Sequence, residues 1–274
     1  MNHPHDLADP QSCSSWWGLF NATVDAVITW QIGPLSFAVL RRAREWQICH
    51  RTSDWPDDSP AGWAVGTADS LDCSTGELER HVLAQTDGLL LIEPALADRS
   101  VVIKSAVPIL VPAGEQISFY VSTPMWVRGH IQGSSHPLLD VAAVRMSDTW
   151  FGPSTMEGEL CYATTITGRL YLDDLPVRAH RAITPLRIKN NGAAPLKLEK
   201  LSLPVPFLSL FDSQEQGLWT EEMTLLHDER KDLAQVIIGA GPPELWSRAE
   251  RVGAPRRTAD RSILYRTFGA LFGS

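Results

Sequence analysis

Between Ile183 and Pro204 the chain reads ITPLRIKNNGAAPLKLEKLSLP, two alternating apolar and polar runs separated by Asn-Asn-Gly. Leu186 and Ile188 alternate with Arg187 and Lys189, and Leu196 and Leu198 restart the pattern, which is the two-residue period of a strand with one buried face. Asn190, Asn191 and Gly192 tolerate the positive φ of a tight turn, so the stretch predicts a β-hairpin. The parity then slips, because Leu201 and Leu203 are out of phase with Leu198. One extra residue near Glu199 and Lys200, a β-bulge, accounts for the slip. These residues commit the chain to antiparallel β structure and name no reaction.

The same period recurs along the chain. Ile28, Trp30 and Ile32 share one strand face, Gly33-Pro34 supplies a turn, Leu35, Phe37 and Val39 follow, and Glu45 to His50 alternates again, so three sequential strands of a meander are expected. From Thr52 to Glu79 the composition turns to Asp, Pro, Gly and Ser, and this reads as a long surface excursion. Short strand candidates then follow one another from Leu89 to Leu172, with prolines at the connections, where a missing ladder donor is tolerated. Helix is expected only in part of 220–227 and in the tail from Asp260 to Phe272. The fold class is therefore all-β, an antiparallel, immunoglobulin-like β-sandwich architecture with a short C-terminal amphipathic helix. Two β domains are expected, residues 1–105 with the acidic loop 52–79, and residues 106–245, followed by a basic amphipathic tail, 246–274. A single wider sandwich is the alternative.

A chain of 274 residues with 44% hydrophobic residues can build real cores, and a formal net charge of −8 argues against a general nucleic-acid binder. The charge is uneven. Asp54, Asp57, Asp58, Asp69, Asp72, Glu77 and Glu79 meet no Lys or Arg, whereas Arg248, Arg251, Arg256, Arg257, Arg261 and Arg266 crowd the tail. Cys13, Cys49, Cys73 and Cys161 form neither a CxxC pair nor a dense framework and are expected to be reduced thiols. The N-terminus lacks the basic and apolar regions of a secretory signal, and no run approaches the ~20 apolar residues that span a bilayer, so a cytoplasmic location is expected.

Catalytic signatures are missing. The histidines and cysteines fit no zinc spacing, no GxSxG occurs, and Gly239-Ala240-Gly241 lacks the rest of a dinucleotide fingerprint. The carboxylate pairs Glu157/Glu159, Asp173/Asp174 and Glu221/Glu222 are neighbours in sequence rather than acids facing each other across a cleft. No catalytic residue, metal or cofactor is therefore assigned. Of the ten tryptophans, Trp30, Trp46 and Trp126 sit in strand alternation and belong to packing. Trp55, Trp63 and Trp150 lie among turn residues and are candidates either to cap a sheet end or to stack on a sugar ring or small ligand. In the tail, Leu264, Phe268, Leu271 and Phe272 fall on one helical stripe flanked by Arg257, Arg261 and Arg266. That stripe is a candidate contact for a protein partner, a second copy or an anionic membrane surface.

Ser15-Trp16-Trp17-Gly18, Trp30-Gln31-Ile32-Gly33-Pro34-Leu35 and Arg44-Glu45-Trp46-Gln47-Ile48 resemble the opening of an uncharacterised prokaryotic family known only as a domain of unknown function. Trp150-Phe151-Gly152, Gly158 to Tyr162 and Asn190-Asn191-Gly192 are its later landmarks. The resemblance supplies no catalytic residues. It implies a link to genes for small-conductance mechanosensitive channels, and hence a membrane-proximal role, with the protein peripheral to the inner membrane. The expected function is that of a non-enzymatic binding or assembly protein. A carbohydrate- or small-ligand-binding module is the alternative, and a hydrolase ranks behind both.

Overall fold

The computed structural model describes residues 13–54, 62–134, 136–152, 156–165, 169, 171–172, 175–214, 216–227, 233–258 and 263–267. These residues are all-β, with short 3-10 turns such as Val205–Phe207 and Glu244–Trp246. They divide into two compact units, each assembled from separated stretches. The first is Met1–Ala95, Met125–Arg145 and Arg178–His180, and the second is Leu96–Pro124, Met146–Val177 and Arg181–Ser274.

The first unit begins with β1 (Gly18–Asn21), β2 (Val27–Ile32), β3 (Leu35–Arg42), β4 (Glu45–Thr52), β5 (Trp63–Ala68), β6 (Glu77–Val82) and β7 (Leu89–Ala95). The chain then gives β8 (Val101–Val111) and β9 (Gln116–Pro124) to the second unit and returns with β10 (Trp126–Ile131) and β11 (Pro137–Ala142). The rest of the second unit is β12 (Ser147–Phe151), β13 (Glu159–Thr165), β14 (Arg181–Asn190), β15 (Leu196–Leu203), β16 (Leu210–Asp212), β17 (Leu218–Trp219), β18 (Met223–His227), β19 (Leu233–Ile238), β20 (Glu250–Gly253) and β21 (Ile263–Thr267). The expected boundary at 105/106 falls inside β8. Residues 125–145 rejoin the N-terminal unit because β10 pairs with β7 along its whole length.

Each unit carries two sheets. The first has β1-β7-β10-β11 and β5-β2-β3-β4-β6; the second has β12-β13-β8-β15 and β20-β16-β17-β14-β18-β19-β21, with β9 also paired to β14. The meander forms as its alternation requires, with β2, β3 and β4 antiparallel neighbours. Ile32 pairs with Leu35, leaving Gly33-Pro34 as a two-residue turn in which Gly33 has φ of 53°. A positive φ at the first turn position is what glycine supplies in this kind of hairpin.

The core of the first unit is aromatic. Trp16, Trp30 and Trp46 are buried, Trp30 stacks on Phe37 at 4.8 Å and meets Phe20 of β1 edge-on at 5.1 Å. The Trp30 indole N–H donates to the Trp16 carbonyl at 3.2 Å, which satisfies its one donor inside the core. Trp126 is buried as well, so the three tryptophans read as packing residues are packing residues.

Several expectations are corrected. The stretch 52–79 is not one loop, since β5 and the start of β6 lie within it as the two edges of the five-stranded sheet. Its alternation is weak because edge strands bury little, and four consecutive residues of β6, Glu77 to Arg80, are exposed. The sheets are also mixed rather than purely antiparallel, because β13 runs parallel to β8, and β17 and β18 run parallel to β14. Residues 223–227, expected to be partly helical, are the strand β18. The tail holds no helix among the described residues. Ile263 to Thr267 is β21, paired with β19. The spacing of Leu264, Phe268 and Leu271 fits a helix, but Ile263, Tyr265 and Thr267 place a β-branched or aromatic residue at every second position, and pairing along β19 selects the extended form.

The Asn-Asn-Gly stretch is corrected in a more instructive way. Its two strands exist, but β14 lies in one sheet and β15 in the other, so residues 191–195 form an arch between sheets and not a hairpin. The register does break at Glu199, but the surplus lies on the partner strand and not in β15: from Leu198↔Ile109 to Lys200↔Lys104, β15 advances by two residues and β8 by five. β8 and β9 make the same kind of crossing through residues 112–115. Asn190, with no exposed surface, ties the two crossings together. Its amide nitrogen donates toward the carbonyls of Val111, Pro112 and Ala194 at 3.0, 3.1 and 2.8 Å, and its oxygen accepts from Gly192 N–H at 3.0 Å.

Candidate functional site

Strand alternation in the meander builds a site on the face away from the tryptophan core. While Trp30 and Phe37 point one way, their neighbours Thr29, Gln31, Ser36 and Ala38 point the other. Cross-strand register sorts these into two rows. One runs Ala64, Gln31, Ser36, Arg51 across β5, β2, β3 and β4; the next runs Gly66, Thr29, Ala38, Cys49 across the same strands. Together they floor a cavity of about 400 Å³, whose rim comes from Asp72, Thr75 and Gly76 in the segment before β6. The small residues Ala64, Gly66 and Ala38 leave the depression open. A Cβ on Gly66 would stand 3.5 Å from the Thr29 hydroxyl, so any larger side chain there projects over the floor.

The polar groups are held in place. Ser36 Oγ–H donates to Gln31 Oε1 at 2.6 Å, the Gln31 amide donates to the Gly33 carbonyl, and Arg51 Nη1 donates to Thr75 Oγ1 at 2.9 Å. Asp72 Oδ1 accepts the Ser74 backbone N–H at 3.0 Å. That bond, followed by the Ser74 hydroxyl and with Arg51 adding, keeps the Asp72 carboxyl below the usual carboxylate range, so it is ionised at neutral pH. The lining thus offers one cation, one anion, an amide and several hydroxyls. It contains a single carboxylate and no thiol, since Cys49 is bonded to Cys73. It is equipped to bind by hydrogen bonds and complementary charge, and it lacks the two facing carboxylates of a glycosidase.

The bridge corrects the expectation of four reduced thiols: Cys49 of β4 and Cys73 of the rim segment form a disulfide, and Cys13 and Cys161 do not. Spacing along the chain does not encode which cysteines meet; the fold of the rim segment does.

Comparison with known families matches residues 16–273 to the family described as "Protein of unknown function (DUF432)". The chain belongs to this family. No curated protein and no solved structure matches it. The DUF432 match takes in every cavity-lining residue.

In this DUF432 chain neither of the two described tryptophans expected to bind ligand lines the cavity. Trp63 lies on β5, pairs with Ile32, and is half-buried outside the cavity lining, although its neighbours Ala64 and Val65 are part of that lining. Trp150 belongs to the second unit, on β12, 49% exposed and opposite the 48% exposed Leu160 on β13. Trp55 lies outside the described residues. Of the tail candidates, Arg257 is exposed and its backbone N–H donates to the Pro206 carbonyl, while Leu264 and Arg266 fall in β21. Arg261, Phe268, Leu271 and Phe272 lie outside the described residues. What the sequence reading passed over is the polar half of the meander's own alternation. Thr29, Gln31, Ser36 and Arg51 were visible as the residues between the core positions.

Among the described residues no group of three or more His, Cys, Asp or Glu could hold a metal ion. One carboxylate in the second unit is buried. Glu221 is 7% exposed and its Oε2 accepts the Ser209 backbone N–H at 2.7 Å. Burial pushes its pKa up, against the opposing pull of the Ser209 hydrogen bonds and of Arg251. A carboxyl that holds its proton more tightly when folded stabilises the fold below the unfolded value and loses that contribution as pH rises through the folded pKa. Glu221→Gln keeps an acceptor for Ser209 and removes the titration. Denaturant midpoints measured from pH 4 upward should therefore fall with pH in the native chain and fall less in Glu221→Gln, and equal slopes would refute the assignment.

Proposed function

We propose that this DUF432 protein is a non-enzymatic binding protein that takes a small polar ligand in the cavity on its five-stranded sheet. The observation that carries this reading is the pair of cross-strand rows with Arg51 at one side and Asp72 on the rim. An open depression whose fixed polar groups converge is the usual form of a small-molecule site. The ligand that matches it carries an anionic group for Arg51 and a cationic or hydroxyl donor for Asp72 and Gln31. The ring faces of Trp30 and Phe37 are turned to the core, which favours hydrogen bonding over sugar stacking.

Calorimetry with a panel of amino acids, hydroxy acids, phosphorylated small molecules and neutral polyols tests it. Anionic members should bind, and Arg51→Gln should weaken them by roughly ten-fold or more, the worth of a hydrogen bond to a charged group. A panel that leaves the native chain untouched, or an Arg51→Gln chain that binds equally well, defeats the reading.

A second reading, a protein contact or assembly role, draws on the second unit, where Trp150, Leu160 and the 91% exposed Met156 place apolar surface in water. The two sheets of each unit fit the sandwich layering expected from the sequence, while the parallel pairs at β8, β13 and β14 depart from an immunoglobulin pattern. Among the described residues no helix is long and apolar enough to cross a membrane. A cytoplasmic site of action remains part of the proposal. Peripheral membrane contact was argued from a helical stripe of which Leu264 lies in the strand β21, while Phe268, Leu271 and Phe272 lie outside the described residues.

A further inference from the structure

The disulfide sits in the wall of the cavity. Cys49 is the last residue of the second cross-strand row, and Cys73 lies between the two rim residues Asp72 and Thr75. The bridge spans a sequence separation of 24 and joins β4 to the segment 69–76. That segment has little else to hold it. Asp69, Ser70, Asp72, Ser74 and Thr75 are exposed, Leu71, Cys73 and Gly76 are half-buried, and the side-chain tie to the sheet is the exposed Arg51–Thr75 hydrogen bond. A stretch with few buried apolar contacts lies at the low end of local stability, so a covalent link decides whether it stays seated.

Gly76 shows how closely the segment is fitted to the bridge. A Cβ there would stand 2.7 Å from Cys49 Sγ, 2.9 Å from the His50 carbonyl oxygen and 3.4 Å from Cys73 Sγ. Only a residue without a side chain lets the rim close onto the sulfurs. The two cysteines also differ in exposure, since Cys49 is 6% exposed and Cys73 is half-buried. A small nucleophile therefore meets Cys73 first.

We propose that Cys49–Cys73 is a redox latch on the cavity wall. Oxidised, it seats Asp72, Thr75 and Gly76 as the rim; reduced, it releases them. The regulation of ligand binding that follows rests on the cavity reading given above. The co-reactant is a dithiol reductant. Its thiolate attacks Cys73 Sγ, the Cys49–Cys73 bond breaks, and Cys49 leaves as a thiolate that takes up a proton. The second thiol of the reductant, deprotonated, then attacks its own sulfur in the mixed disulfide and displaces Cys73, which is protonated in turn. Two electrons and two protons pass from the dithiol, which becomes a cyclic disulfide, to the protein, which gains two thiols. In a reducing compartment a disulfide of this kind acts as a sensor rather than as a permanent staple.

Hydrogen exchange on the full-length chain, before and after treatment with dithiothreitol, tests the latch without needing a ligand. Amides in 69–76 should exchange about ten-fold faster or more after reduction, while those of β2 and β3 keep their rates. The double variant Cys49→Ser, Cys73→Ser should show the fast rates with or without dithiothreitol, and its unchanged β2 and β3 protection reports that the sheet still folds. Protection of 69–76 that is indifferent to reduction overturns the proposal, and so does a thiol titration of the unreduced, denatured chain that counts four free cysteines. The panel compound that binds Arg51 best should bind about ten-fold more weakly after reduction. If exchange responds and no panel compound binds, the ligand reading fails and the latch stands.

Discussion

Asn190→Ala lowers the stability of the second unit by about 2–4 kcal/mol, because the buried Val111 carbonyl left without its donor costs about 1–3 kcal/mol and the three part-buried bonds, whose partners can turn to water, add about 1 kcal/mol together. The carbonyls of Val111, Pro112 and Ala194 lose a donor together, and Gly192 N–H loses its acceptor. For a unit of this size the loss corresponds to roughly 4–16 °C in the midpoint of its thermal transition. Asn190→Asp sharpens the test. The aspartate has almost the same shape, keeps the acceptor for Gly192, and turns an oxygen toward three carbonyl oxygens, so it should be at least as damaging as alanine. A mild Asn190→Asp phenotype in calorimetry would show that the position is filled for its shape and not for its donors. A small loss in both variants would mean that the two crossings hold without this side chain.

Asn190 also marks where sequence reasoning reached its limit. Period-two alternation located β14, β15, the meander and the slip at Glu199, because burial of one strand face is a local property written in every second residue. It did not say which strand pairs with which. Asn-Asn-Gly tolerates tight turns, so local propensity favoured a hairpin, yet the alternative of sending β15 to β8 in another sheet buries Asn190 with all its bonds made. That choice depends on residues near 111 that are about 80 positions away. The tail shows the same competition at a strand edge, where pairing with β19 decides between two periods that the residues fit equally.

The candidate site was half legible for the same reason. Reading the meander for its core positions identified Trp30 and Phe37 and skipped Thr29, Gln31, Ser36 and Arg51, which alternate with them and carry the cavity. The loop tryptophans drew attention as bulky residues among turn formers, but an edge strand claimed Trp63 and a different unit claimed Trp150. The Cys49–Cys73 pairing was not legible at all. One cysteine lies at the buried end of a row and the other in a segment whose path is set by glycine at 76, neither of which a spacing rule contains.

Gly33→Ala should cost the first unit about 2–4 kcal/mol, from two separable terms: about 1 kcal/mol for a side chain at positive φ and about 1–3 kcal/mol for overpacking. Gly33 has φ of 53° at the turn between β2 and β3, and a Cβ built there stands 2.1 Å from His180 Nδ1. His180 is 2% exposed and belongs to the same unit, through the short stretch Arg178–His180, so its ring has no solvent to retreat into. Either the imidazole or the turn must move, and the turn sets the register of Gln31 with Ser36 in the floor of the cavity. A double-mutant cycle with His180→Ala separates the terms. In the His180→Ala background the clash is gone, and Gly33→Ala should cost only the backbone strain, about 1 kcal/mol. Equal costs in both backgrounds would show that the ring yields freely, and that strain at the turn alone makes glycine necessary.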